Sequence, residues 1–214
     1  MASNRSIWVI GMGPGDPAYL LPVAREKACQ CEVLVGACRW LQLLDQLEPS
    51  TSRIKIELTG DLDKIIEMVK DCYSHCRIGF LVSGDPGVYS LLGRLRLHFA
   101  EEELGVIPGI SSVQYLVSRL KRPWHDCCII SRHGRNNDDL LEAVRRQPVV
   151  VLTDERCSPD EIARFLIKKG VMNKKVYVGS WLSWPQEQVV AGSLEYIGSL
   201  QFKEMSVMLI EDGD

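Results

Sequence analysis

The stretch IWVIGMGPGD, residues 7–16, predicts the fold class of this chain. Its first four residues are apolar and mostly β-branched or aromatic, which is typical of a buried strand. The run of glycine and proline that follows indicates a tight turn out of that strand. Asp16 and Pro17 then match a helix N-cap followed by a proline in the first helical turn. The stretch therefore predicts the opening of a βαβ unit.

The same alternation of strand and helix continues through the first half of the chain. Further apolar runs of strand length lie at residues 33–35, 54–56, 78–82 and 104–107. Leu62, Ile65, Ile66 and Val69 share one face of a predicted helix, and residues 111–120 are expected to form another helix. Because crossover helices cover parallel sheets, we expect a mainly parallel α/β lobe here.

A boundary between two lobes is predicted near the stretch KRPW, residues 121–124, since proline restricts the residue before it and commonly ends a helix. The predicted lobes are 1–121 and 122–214. The second lobe is expected to be a mixed sheet with flanking helices. Its predicted strands are 128–130, 149–152, 176–178, 187–191 and 206–210. We expect a helix over 159–169 and a brief turn region between the last two strands.

The composition is that of an ordinary globular protein. Of 214 residues, 46% are hydrophobic and 25% are charged, with a formal net charge of -3. Nucleic-acid binders usually carry a basic domain or stripe, so no such partner is expected. No apolar run approaches the roughly 18 residues of a membrane span, and the N-terminus lacks a signal-peptide pattern. We therefore expect a cytoplasmic protein without a membrane partner.

The eight cysteines do not follow the spacing of a small disulfide-rich scaffold, so reduced thiols are expected. Cys72, His75 and Cys76 suggest a metal site at first. A tetrahedral zinc site needs four ligands, however, and no second pair has matching spacing. Structural thiols are the preferred interpretation, and no metal is expected.

Three loops rich in glycine and proline follow predicted strands of the first lobe: GMGPGD at 11–16, SGDPG at 83–87 and IPGISS at 107–112. Open α/β sheets bind ligands at the carboxyl edge, and small residues let main-chain atoms approach a ligand closely. Each loop alone could be a structural turn, but three on one edge favour a binding site. Asp16 replaces the third glycine of the dinucleotide fingerprint G-x-G-x-x-G, which argues against an oxidoreductase.

The stretch SRHGR, residues 131–135, groups three potential cations after a predicted strand. One interpretation is a solvated basic turn. The other is a clamp for carboxylates, since arginine can pair with them in a bidentate manner. The second interpretation requires a substrate rich in carboxylates.

Several motifs together resemble the tetrapyrrole methylases of cobalamin and siroheme synthesis. These motifs are GMGPGDPAYL at 11–20, SGDPGVYS at 83–90 and PGISSVQY at 108–115. Within the family, three more motifs look most like the members that methylate carbon C-5 of cobalt-precorrin-7: VGACRWLQLL at 35–44, PWHDCCIISRHGR at 123–135 and VVLTDERCSP at 150–159. The resemblance implies a two-lobed, homodimeric enzyme that methylates a corrin precursor, with or without cobalt, using S-adenosylmethionine.

The resemblance also implies site residues. S-adenosylmethionine is expected in a cleft between the lobes, contacting Gly84, Asp85, Val88, Ser111, Ser112, Val113, Leu152, Thr153, Trp181, Leu182 and Ser206. The tetrapyrrole is expected to contact Gly13, Pro14, Gly15, Asp16, Arg132, His133 and Arg135. If a proton must leave a ring nitrogen, Asp85 and His133 are the expected acceptors.

The chain departs from the family at Ser90, where a glycine often follows the tyrosine of the second loop. Some relatives are fused to a second methyltransferase, whereas this sequence ends at Asp214, so only the C-5 step is expected. Two alternatives stay open. One is another methylase of the superfamily, acting on uroporphyrinogen, diphthine or ribosomal RNA. The other is a noncatalytic ligand-binding protein on the same α/β fold.

Overall fold

The computed structural model describes residues 6–49, 52–72, 75–131, 138–154, 157–202 and 205–213. The chain divides into two compact units, residues 1–111 and 112–214. This division falls before the helix that follows the fifth strand, whereas the predicted boundary at 121/122 lies after that helix.

The first unit is built on a parallel sheet whose strands match the predicted apolar runs. The strands are β1 (Ser6–Gly11), β2 (Val33–Gly36), β3 (Ile54–Glu57), β4 (Arg77–Val82) and β5 (Leu104–Ile107). Their order across the sheet is β3-β2-β4-β1-β5, and each neighbouring pair is parallel. The central strands are buried, as expected of a parallel sheet covered on both faces.

Helices of the first unit connect these strands. They are α1 (Pro22–Gln30), α2 (Cys38–Leu47), α3 (Leu62–Cys72) and α4 (Leu92–Leu95), with short 3-10 turns at Pro17–Tyr19 and Glu101–Glu103. Ile66 and Val69 of α3 are fully buried in one core cluster with Val9 and Phe80. The predicted apolar face of α3 is therefore confirmed.

The predicted cap at Asp16 forms, but it caps a shorter element than expected. Asp16 Oδ1 accepts a hydrogen bond from the Ala18 N–H at 2.8 Å, and Pro17 lies in the first turn. The turn ends after Tyr19, and the α-helix begins only at Pro22. A second proline thus starts the crossover helix.

The second unit contains a mixed sheet, as predicted. Its strands are β6 (Cys128–Ser131), β7 (Val149–Leu152), β8 (Lys174–Ser180), β9 (Gln188–Ser193) and β10 (Ser206–Asp212). The order is β6-β7-β10-β8-β9. Strands β6 and β7 are parallel, whereas the other neighbours are antiparallel.

Helices of the second unit are α5 (Ser112–Arg119), α6 (Asp138–Arg146), α7 (Pro159–Lys168) and α8 (Leu194–Ser199). The expectation of only a brief turn between the last two strands is wrong, because α8 lies there. Ser193 accepts a hydrogen bond from the Tyr196 N–H, and Leu194 and Ile197 are buried in the core. A serine cap and two apolar residues three positions apart therefore make one helical turn favourable.

Within the described ranges, no helix is long and apolar enough to cross a membrane. Over those same residues, no group of three or more His, Cys, Asp or Glu side chains could hold a metal ion. The side chain of Cys72, one of the three residues weighed for zinc, lies outside what the structure describes. Burial raises the pKa of the Cys31 thiol to about 11, as expected of a structural thiol.

Candidate functional site

The three glycine-rich loops of the first unit meet at the carboxyl edge of its sheet. Strand β1 lies between β4 and β5, so the loops that follow these strands are neighbours. The Met12 N–H donates to Val82 O at 2.8 Å, and the Gly84 N–H donates to Gly13 O at 2.8 Å. Gly13 and Gly84 thereby form an antiparallel bridge beyond the parallel strands.

Glycine is required where these loops touch. A Cβ atom on Gly109 would lie 2.2 Å from Gly84 O, and a Cβ atom on Gly11 would lie 2.6 Å from Gly109 N. Both neighbours are main-chain atoms, which cannot swing away as a long side chain can. Gly13 also has a φ of 77°, in the left-handed region that favours glycine. The loop sequences are therefore explained by close packing of backbone on backbone.

Asp85 joins two of the loops through both oxygens of its carboxylate. Oδ1 accepts from the Gly87 N–H at 2.7 Å within its own loop, and Oδ2 accepts from the Gly109 N–H at 3.0 Å in the loop after β5. The side chain is half-buried. These bonds give Asp85 a role in fixing the loops, and its role as a proton acceptor stays a prediction.

The residues after Asp85 complete this loop. Val88 is half-buried, and its N–H donates to Asp85 O at 3.1 Å. Tyr89 is exposed and has a φ of 48°, which is uncommon for a non-glycine residue. Ser90 Oγ donates to Pro86 O at 2.5 Å, which gives this departure from the family pattern a local structural role.

Helix α2 contacts the loop after β4 through two side chains that sequence reasoning did not place in the site. Arg39 Nη2 and Trp40 Nε1 donate to Ser83 Oγ at 2.8 and 3.0 Å. Trp40 is buried, and burial lowers the pKa of the Arg39 guanidinium from its ordinary value. Both residues belong to the motif at 35–44, so the family resemblance could have indicated them as site residues.

The second unit brings a further set of predicted cofactor residues to one edge of its own sheet. Strand β10 runs antiparallel to β7 and β8, so the start of β10 meets the ends of β7 and β8. Thr153 Oγ1 donates to Ser206 O at 2.7 Å, and the hydroxyls of Ser206 and Ser180 are 2.8 Å apart. The Trp181 N–H donates to Met205 O at 3.0 Å.

The other predicted residues of the second unit lie close to that edge. Leu152 ends β7, and its partner in the ladder is Val207, next to Ser206. Leu182 is buried and packs near Gly179, where an added Cβ would lie 2.6 Å from Leu182 Cδ2. The structure therefore assembles these residues, which are far apart in sequence.

Helix α5 lies against the same end of this sheet. Ser112 and Val113 form its first turn, where Val113 is fully buried and Ser112 half-buried. Leu116, one turn further on, lies 2.8 Å from the position of a Cβ added to Gly179. Ser111, immediately before the helix, is also buried.

The predicted substrate residues divide into two groups. Gly13, Pro14 and Gly15 are buried in the loop after β1, and Asp16 is half-buried and caps the following turn. The basic residues Arg132, His133 and Arg135 lie outside the described residues. Their expected contacts with carboxylates stay a prediction.

Residues 6–198 match the family model of the Tetrapyrrole (Corrin/Porphyrin) Methylases. The match covers most of the chain, so this protein belongs to that family. The fold described above is thus that of a tetrapyrrole methyltransferase.

Two similar proteins within the family carry the same name. A probable cobalt-precorrin-7 C(5)-methyltransferase of Methanocaldococcus jannaschii is 30% identical, over 96% of this chain and 97% of its own length. The cobalt-precorrin-7 C(5)-methyltransferase of Salmonella typhimurium is 31% identical, over 85% of this chain and 87% of its own length.

Solved structures show the same fold. A uroporphyrin-III C-methyl transferase from Thermus thermophilus, complexed with S-adenyl homocysteine, has a TM-score of 0.77 at 23% identity and covers 96% of this chain and 97% of that one. A precorrin-6Y methylase from Archaeoglobus fulgidus has a TM-score of 0.73, also at 23% identity, with 98% of both chains covered.

Proposed function

We propose that this protein transfers a methyl group from S-adenosylmethionine to C-5 of cobalt-precorrin-7, or of its metal-free equivalent. The observation that carries the proposal is the alignment with two relatives named for this reaction, at 30% and 31% identity over 96% and 85% of the chain. A relative named for methylation at C(11) aligns over 95% of the chain at only 24% identity. The comparison therefore favours methylation at C-5 over methylation at C-11.

The described residues fit S-adenosylmethionine by their chemistry. In the first unit, the main chains of Gly84 and Gly109 pack closely together where the glycine-rich loops meet. Main-chain carbonyl oxygens at such a loop edge can attract a cationic ligand. In the second unit, Thr153, Ser206 and Leu182 are all buried. Leu182 packs near Gly179, whose strand partner Val207 follows Ser206. A few polar groups within apolar walls are typical of small-molecule sites.

When bound, S-adenosylmethionine supplies an electrophilic methyl group on a positively charged sulfur. The task of the chain is then to align that methyl group with the ring carbon and to exclude water. The bonds of Asp85 to two loops keep the main chain around Gly84 and Gly109 in place for this task. No covalent attachment to a side chain is needed.

Substrate binding is proposed for the loop at residues 13–16 and for Arg132, His133 and Arg135. Guanidinium groups pair with carboxylates, which a corrin precursor carries around its rim. Replacing Arg132 and Arg135 by alanine should raise the Kd of the tetrapyrrole more than that of S-adenosylhomocysteine. Equal effects on both ligands would contradict a carboxylate clamp.

Acceptance of a ring proton is proposed for Asp85 or His133. The two carboxylate oxygens of Asp85 already accept main-chain N–H groups, yet each oxygen keeps a further lone pair. A loss of kcat at unchanged affinity in His133→Ala would assign the role to His133. The same pattern in Asp85→Asn would assign it to Asp85.

The decisive experiment incubates the protein with cobalt-precorrin-7 or precorrin-7 and S-adenosylmethionine carrying a carbon-13 methyl group. The labelled carbon of the product is then located by NMR. We expect the label at C-5, whereas a label at another ring carbon would overturn the assigned position. Failure of the folded protein to bind S-adenosylhomocysteine would overturn the assignment of S-adenosylmethionine as the methyl donor.

The proposal also includes a homodimer located in the cytoplasm. Sedimentation measurements test whether the protein is a dimer.

A further inference from the structure

Glu187 contacts two segments of the second unit that carry proposed cofactor residues. It lies at the end of the turn 181–187, which joins β8 to β9. Its Oε2 accepts from the Ser183 N–H and from the Tyr115 hydroxyl, both at 2.7 Å. Its Oε1 accepts from Arg119 Nε at 2.8 Å. One carboxylate therefore connects the turn to helix α5.

The geometry of α5 makes this connection specific. Tyr115 and Arg119 are four residues apart, so both side chains leave the same face of the helix. The first turn of that helix contains Ser112 and Val113, two of the proposed cofactor contacts. Any shift of the helix relative to Glu187 would move both contacts.

The backbone of the turn is held in an uncommon conformation. Trp181 has a φ of 51° and Ser183 a φ of 67°, both in the left-handed region. Residues other than glycine remain there only when the surroundings fix them. The Trp181 N–H donates to Met205 O, and the Ser183 N–H donates to Glu187. Glu187 thus supplies a side-chain acceptor in the middle of the strained segment.

The carboxylate of Glu187 is charged in spite of its partial burial. Its side chain is 15% exposed, and burial by itself disfavours the ionised form. Hydrogen bonds from Tyr115, the Ser183 N–H and Arg119 outweigh that effect and hold the pKa of Glu187 below its ordinary value. Hydrogen bonds to an ionised acceptor are stronger than neutral ones.

We infer that Glu187 is a positioning residue for the methyl donor: it holds α5 and the turn 181–187 so that Ser112, Val113, Trp181 and Leu182 keep the arrangement that binds S-adenosylmethionine. Glu187 is not itself among the proposed contacts. The inference rests on the proposed function, since it concerns the affinity of that cofactor.

Glu211 provides a matched control in the same unit. Its carboxylate accepts from Arg122 Nη2 at 3.0 Å and from the Tyr177 hydroxyl at 3.2 Å. Its side chain is 20% exposed, close to the value for Glu187. Glu211 pairs with Lys175 at the far end of β10 from Ser206. The two glutamates therefore have similar partners and burial but lie at opposite ends of the sheet.

The experiment compares Glu187→Gln with Glu211→Gln in the full chain. Calorimetry gives the Kd of S-adenosylhomocysteine for each variant and for wild type. We expect Glu187→Gln to raise that Kd about tenfold, because a charge-assisted anchor is lost. Glu211→Gln should stay within about twofold of wild type, as a substitution away from the site does.

Near-ultraviolet circular dichroism reports the surroundings of the tryptophan rings in the folded protein. A variant that is less stable but still folded in the same way keeps the same spectrum. The rings of Trp181 and Trp184 lie edge to face, with centroids 6.4 Å apart. We expect Glu187→Gln to change the tryptophan bands because the turn relaxes, while Glu211→Gln preserves them.

Tyr115→Phe keeps the test decisive if Glu187→Gln does not fold. This variant removes a single donor to Glu187 and leaves Arg119 and the Ser183 N–H in place. We expect its Kd for S-adenosylhomocysteine to rise about threefold, as for the loss of one hydrogen bond.

The outcomes separate the inference from the proposed function. Wild-type affinity in folded Glu187→Gln, or in Tyr115→Phe if only that variant folds, would overturn the inference alone. Equal weakening by Glu187→Gln and Glu211→Gln would also overturn it, because the effect would then be general. Absence of binding by wild type would overturn the proposed function and this inference with it.

Discussion

The two units form their proposed binding edges from different groups. At the edge of the first unit, Gly11, Gly84 and Gly109 bring main-chain atoms into contact. At the edge of the second unit, hydroxyl groups of Thr153 and Ser206 form the buried contacts. The first edge lies on a parallel sheet, and the second joins strands that run in opposite directions.

This difference determines how each edge responds to substitution. Where backbone packs on backbone, one added methyl group has no space, and the neighbouring loop must move. Where side chains make the contacts, removing one hydroxyl group leaves the strands paired. We therefore expect substitutions in the first edge to have larger effects than substitutions in the second.

The largest effect is expected for Gly109→Ala. The new Cβ would lie 2.2 Å from Gly84 O, so the loops after β4 and β5 must separate. We expect the free energy of unfolding to fall by about 3 kcal/mol. Binding of S-adenosylhomocysteine should be lost in calorimetry. Gly93→Ala is the control, because nothing lies within 4 Å of a Cβ there. Wild-type binding by Gly109→Ala would contradict the close-packing account.

A smaller effect is expected for Asp85→Ala. It removes the acceptor of the Gly87 and Gly109 N–H groups but leaves the glycine contacts in place. We expect the Kd of S-adenosylhomocysteine to rise on the order of thirtyfold, or about 2 kcal/mol. The control is Asp61→Ala, whose carboxylate also accepts a main-chain N–H, that of Asp63 in the first turn of α3. If both variants bind equally well, Asp85 does not hold the site.

Thr153→Val tests the second edge. Valine has nearly the shape of threonine but cannot donate to Ser206 O. We expect a loss of about 1 kcal/mol of unfolding free energy, measured in urea, and an affinity for S-adenosylhomocysteine several-fold weaker. The exposed Thr59→Val serves as control and should change neither quantity. An effect as large as that of Gly109→Ala would remove the distinction between the edges.

The smallest effect is a pH dependence that belongs to the second unit. The pKa of Glu187 is held below its ordinary value of 4.5. As the pH falls, Glu187 is therefore protonated in the unfolded chain before it is protonated in the folded protein. Ionised Glu187 contributes fully to the free energy of unfolding above pH 4.5, and this contribution is lost as the pH falls through the lower pKa of the folded state. From about pH 5 to 3, wild type should lose more unfolding free energy than Glu187→Gln. If the unfolding free energies of wild type and Glu187→Gln fall in parallel over this range, ionised Glu187 does not stabilise the fold.

The sequence was sufficient to predict the elements whose pattern is local. The apolar runs and the helical face of α3 predicted strands and a helix that the structure confirms. The loops at 11–16, 83–87 and 107–112 were visible because only glycine permits their approach. Helix α8 was missed, since its six residues include just two buried apolar ones, Leu194 and Ile197.

Contacts that depend on strand pairing could not be predicted from residue spacing. Thr153 and Ser206 were placed in the site by family resemblance, and only the antiparallel pairing of β7 with β10 explains why they meet. The left-handed φ of Trp181 leaves no mark in the sequence, because no glycine occupies that position. Glu187 looks like any solvated charge until Tyr115 and Arg119 are seen on one face of α5.

The bridge between Gly13 and Gly84 also bears on dynamics. It adds an antiparallel pair of backbone hydrogen bonds between the loops that follow β1 and β4, and the Gly84 N–H is one of the donors. Opening these loops therefore requires the hydrogen bonds between Gly13 and Gly84 to break. Amide hydrogen exchange at Gly84 should accordingly be as slow as in the core strands. A ligand would then meet a surface already ordered by folding, with little configurational entropy left to lose on binding.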